Sequence, residues 1–169
     1  MPFITANESG SKSKKYIKNQ INKIKDFLKN DETMQKSFAD HGVDIEWIEY
    51  IPVKFDYINV SAKTDHGVVI LNYKLLFNNN FEEITGYALH EFIHYLQQCF
   101  GEEGTQSSND GNYLDNPYEQ EAFKKQIEFI ADNKSKEDAE DYVEQLLDHH
   151  DINSSNERKE KSDILLSQV

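Results

Sequence analysis

Residues 88–96 read Ala-Leu-His-Glu-Phe-Ile-His-Tyr-Leu, two histidines and a glutamate set inside an apolar run. On a helix, positions i and i+4 share a face, so His90 and His94 stack one turn apart with Cβ atoms about 5–6 Å from each other. Two imidazoles at that spacing can converge on one tetrahedral metal ion. Glu91 follows the first histidine directly and therefore points beside such an ion. There it can accept a proton from a metal-activated water. The neighbours Ala88, Leu89, Phe92, Ile93, Tyr95 and Leu96 carry no charge, so this helix is expected to be buried. A chain holding such a segment must build its core around it.

A catalytic zinc site takes three protein ligands and leaves a fourth position open. Residues 115–123, Asp-Asn-Pro-Tyr-Glu-Gln-Glu-Ala-Phe, offer Glu119 and Glu121. With Asn116 as N-cap and Pro117 at the first helical position, Glu119 is the third helical residue and is expected to reach back to the cap. Glu121 lies deeper, and the small Ala122 beside it lets this helix pack closely on the histidine helix. Glu121 is therefore the expected third ligand, with Glu119 the alternative. The two stand about 200° apart around a helix and are not expected to share one ion. Among donors for a developing oxyanion, Tyr113 is the first candidate by its loop position, ahead of Tyr118 and Tyr95.

The rest of the chain supplies a frame for that pair of helices. Ile17, Ile21, Ile24 and Leu28 form one stripe of a helix over about 13–30. Asp31 can cap a second short helix that stops at Gly42. Residues 43–50 and 53–60 read as strands parted at Pro52, and Gly67 permits a turn into a third strand at 68–71. Asn80, with Glu83 three residues later, opens the histidine helix, which ends at Gly101. A loop over 101–115, a helix from Pro117 to about Asp132 and an acidic helix over about 136–149 follow. Residues 1–12 read as a disordered lead, 13–149 as one domain with its core at 43–132, and 150–169 as a flexible tail. Helices, then strands, then helices indicate an α+β fold.

Composition narrows the partners. Thirty-one acidic against 18 basic side chains give a net charge of −13. Such a surface repels phosphate backbones and anionic lipid, so neither nucleic acid nor membrane is an expected partner. The basic stretch Lys12–Lys25 reads as the solvated face of a helix. One cysteine, Cys99, precludes an intrachain disulfide and reads as a core residue. With no apolar leader, a cytoplasmic location is expected. His149 and His150 read as a helix-end pair.

His90-Glu91-x-x-His94 followed by the pair Glu121-Ala122 on a later helix resembles the gluzincin metallopeptidases, and the short chain is similar to the minimal zincin domains of small bacterial and phage proteins. The likeness spans about residues 43–132. It implies a small three-stranded mixed or antiparallel sheet packed on the motif helix. It also implies Zn2+ held by His90, His94 and Glu121, with Glu91 as general base in hydrolysis of a protein or peptide substrate. An edge strand would pair with that substrate, and residues 67–72 match it. Lys125 occupies the place where some gluzincins carry an Asp that supports a ligand histidine, so that support is unassigned. A zinc-stabilised interaction module without catalysis is the alternative reading.

Overall fold

The computed structural model describes residues 12–78, 80–101 and 113–169, the side chain of Tyr113 excepted. Two helices, α1 (Lys14–Lys29) and α2 (Glu32–Asp40), lead into strands β1 (Val53–Asp56), β2 (Ala62–Asp65) and β3 (Val68–Asn72). Helices α3 (Phe81–Phe100), α4 (Pro117–Asn133), α5 (Lys136–His149) and α6 (Ser155–Leu165) complete the chain. The architecture is α+β, with a small mixed sheet of order β1-β3-β2. β1 runs parallel to β3 and β2 antiparallel to it. Helix α3 lies between β2 and β3 on one side and α4 on the other.

The first expected strand is a helix instead. Residues Ile45–Tyr50 form a 3-10 helix whose N-cap, Asp44, accepts from the Glu46 amide. Its apolar residues recur every third position, with Ile48 and Ile51 fully buried and Ile45 packed on them. That is the period of a 3-10 turn, not of a strand. The second expected strand ends at Asp56, four residues early.

The third strand of the sheet, Ala62–Asp65, was not apparent from composition, because its Ala-Lys-Thr-Asp sequence has little β preference. It exists because His66 and Gly67, both with positive φ (50° and 75°), close a two-residue hairpin onto β3. β3 is therefore the central strand, bonded on both sides, and cannot be the open edge expected at 67–72. The outer strand beside α3 is β2.

Two apolar clusters flank the α3–α4 pair. One joins α1, α2, the sheet and α3 through Leu28, Phe38, Ile48, Leu71, Leu89 and Phe92. The other joins α4, α5 and α6 through Phe123, Ile127, Val143, Leu147 and Leu165. The segment expected to be a loose tail thus contains a helix that buries Leu165. Lys161 pairs with Asp115 across the same seam. The lead expected at 1–12 lies outside the described residues except for Lys12. Lys25 departs from the solvated face expected of the basic stretch. Its ammonium donates to the Ile51 carbonyl (2.7 Å), and burial, partly offset by the charge of Glu49, lowers its pKa. Cys99 is exposed rather than in the core, since the last turn of α3 runs out to the surface with Phe100. Among the described residues no helix is long and apolar enough to cross a membrane.

Leu165→Ala is expected to cost about 2–5 kcal/mol, as for other buried leucines. Urea unfolding should show a lower midpoint with an unchanged slope. An unshifted midpoint would mean that α6 contributes nothing to the fold.

Candidate metal centre

Local sequence sets up both helices of the site. The Asn80 side chain accepts from the Glu83 amide and starts α3. At α4, Asn116 Oδ1 accepts from the amides of Tyr118 (2.9 Å) and Glu119 (3.3 Å), and Pro117 has no amide to satisfy. The cap is complete without a reciprocal bond from Glu119. Its carboxylate is free to turn inward, and it does.

His90, His94 and Glu119 present one ligand atom each, all within 4.8 Å of one another. Glu119 Oε1 lies 2.9 Å from His94 Nε2 and 3.3 Å from His90 Nε2, and the two Nε2 atoms are 3.2 Å apart. Their residues are 1%, 3% and 6% exposed. This corrects the expected ligand set, because Glu119 joins the histidines and Glu121 does not. Two residues on, Glu121 faces another side of α4. Its Oε1 accepts from Gln97 Nε2 (2.6 Å) and its Oε2 lies 3.6 Å from His41. Ala122 is fully buried at the α3–α4 contact, as expected of a small residue there.

The other ring nitrogens are held from behind. His90 Nδ1 lies 2.9 Å from Gln126 Oε1, and His94 Nδ1 lies 2.8 Å from Gln97 Oε1. A carbonyl oxygen only accepts, so each Nδ1 must carry a hydrogen, and in the neutral ring the lone pair is left on Nε2, toward the centre. Phe123 walls His90, with ring centroids 4.5 Å apart. Gln126 also borders a cavity of about 260 Å³ between α3, α4 and α5. Gly86, another small residue of the motif helix, faces the Gln126 amide there.

Glu91 is 7% exposed, its charge acts on His94, and its side chain meets β2 at Thr64. Thr64 Oγ1 on β2 lies 2.9 Å from Glu91 Oε1 and equally close to the Glu91 carbonyl. One hydroxyl thereby ties the outer strand to the motif helix. Gln97, Gln126 and Thr64 were not foreseen. A heptad-like spacing from Glu119 to Gln126 was legible, but Thr64 lay in an unrecognised strand. Of the tyrosines, the side chain of Tyr113 lies outside the described residues. Tyr95 is occupied as acceptor from the Trp47 indole (3.1 Å), and Tyr118 contributes its backbone carbonyl to Gln97. His150 caps the end of α5. Burial and the charge of His149 lower its pKa against the opposing charge of Glu119.

Burial pushes the Glu119 carboxyl up, but hydrogen bonds and charge from His90 and His94 prevail and hold it at about 2. For His94 burial pushes down, and the bond to Glu119 with the charges of Glu91 and Glu119 raises it overall. Without a metal, the centre therefore favours a proton shared between imidazole and carboxylate. A cation that binds here takes that proton's place. The buried His90, His94 and Glu119 could hold a metal ion. No protein-family model matches the chain, and no curated protein or solved structure does either.

The pKa shifts set a pH window. The Glu119 contribution to stability is present above its ordinary 4.5 and is lost as pH falls toward about 2. The His94 contribution is full below its ordinary 6.5 and is lost as pH rises through the raised value. The stability gap between metal-free wild type and metal-free Glu119→Gln should be widest between pH 4.5 and 6.5. A gap that stays constant with pH would refute the pairing.

Proposed function

We propose that this protein is a zinc-dependent peptidase of the gluzincin kind, with His90, His94 and Glu119 as ligands and Glu91 as general base. The observation that carries the reading is the convergence of two imidazole lone pairs and a carboxylate in a buried helix interface. A tetrahedral zinc bound at about 2.0–2.1 Å separates neighbouring donors by about 3.3 Å. The 2.9–3.3 Å spacings among Nε2 and Oε1 are close to that value. Two histidines with one carboxylate form a donor set typical of hydrolytic zinc.

When bound, zinc supplies Lewis acidity, acidifying a water to a pKa of about 7 and polarising a carbonyl. The chain's own residues do the rest. Glu91 follows His90 on the helix and stays off the ligand set, so its carboxylate is available to take the water's proton and return it to the leaving amine. Thr64 fixes the carboxylate's rotamer by its bond to Oε1. β2, the outer strand beside α3, is the edge on which an extended peptide can pair.

Purified protein is expected to hold one zinc per chain, lost in His94→Ala and Glu119→Ala but retained in Glu121→Ala with weakened affinity. Glu91→Gln should keep the metal and lose hydrolysis by about 10²–10⁴-fold. Undiminished cleavage by that variant would sink the mechanism.

The near-complete burial of all three ligands supports a second reading, a zinc-stabilised interaction module. It predicts a chelator-sensitive melting temperature without cleavage of any unfolded protein.

A further inference from the structure

We infer that Glu121 is a positioning residue for the metal centre, acting on His94 through the Gln97 amide; this rests on the metal-binding reading above. The Gln97 amide nitrogen has two hydrogens. One goes to the Tyr118 carbonyl (3.0 Å) and the other to Glu121 Oε1 (2.6 Å). Both partners are acceptors only. A flipped amide would set its oxygen against them, so the amide is locked with Oε1 toward His94 Nδ1 (2.8 Å). The lock has a chemical consequence. In the flipped state an N–H would face Nδ1 and move the ring hydrogen to Nε2, where it would block a metal.

Glu121 is suited to this task because a carboxylate offers no donor. A glutamine at the same place could present either end and would admit the flipped state. Gln97 lies one turn beyond His94 on α3, and Glu121 lies two residues past Glu119 on α4. The pair therefore couples the orientation of one ligand to the packing of the helix that carries another. His41, near Glu121 Oε2, helps keep the carboxylate in place from α2.

The test is a double-mutant cycle on the full-length chain, with zinc affinity read by competition against a chelator and coordination read from cobalt(II) absorption. Glu121→Gln should weaken zinc by about tenfold, as do other groups that orient metal-bound histidines. Its cobalt spectrum should match wild type, because the ligands are the same. In a Gln97→Leu background, Glu121→Gln should have no further effect. Equal weakening in both backgrounds would overturn the inference, since Glu121 would then act by charge or by general stability. An altered cobalt spectrum would overturn it by making Glu121 a ligand, and unchanged affinity would overturn it outright. Wild type that takes up neither zinc nor cobalt would instead defeat the metal reading itself, and this inference with it.

Discussion

The approach of Glu119 to His90 and His94, inside the buried seam between α3 and α4, is the interaction around which the rest of this fold is arranged. A carboxylate withdrawn from water is costly unless charge or hydrogen bonds compensate. Here the compensation comes from His90 and His94, which hold its pKa at about 2. Neither helix can move independently without exposing that group to an unpaired state. The sheet, α1 and α2 brace α3 from one side, and α5 and α6 brace α4 from the other.

The supports behind the histidines are amides, not carboxylates. Gln126 and Gln97 fix ring orientation and tautomer without adding charge beside the candidate ligands. Two further carboxylates stand by these helices: Glu91, bonded to Thr64, and Glu121, one amide removed from His94. Each acidic group near the centre thus has a partner that separates its role from direct ligation. The likeness to gluzincins noted from the motif left the support of the histidines unassigned, and the structure places glutamines there.

Some of this was open to inspection at the level of residues. The His-Glu-x-x-His run implied a buried helix with two imidazoles able to converge, because a helical period puts those positions on one face. Helix starts at Asn80 and Asn116, stops near Gly42 and Gly101, and the α+β order followed from caps, breakers and periodicity. The choice between Glu119 and Glu121 went the other way. It rested on whether Glu119 was needed at its helix cap, and Asn116 alone satisfies the amides there. The strand at Ala62–Asp65 and the 3-10 helix at Ile45–Tyr50 were misjudged for a related reason. Short segments take their form from what they pack against.

The sequence by itself determined the metal-binding potential of α3, since spacing along one helix is a local property. It also restricted the candidates for a third ligand to two glutamates on one later helix. Only the tertiary structure decided which glutamate turns inward, which strand lies at the sheet's edge, and which amides hold the histidines. Those outcomes depend on the rotation of α4 against α3 and on the hairpin closed by His66 and Gly67. Contacts between segments distant in sequence set both, and no local pattern encodes them.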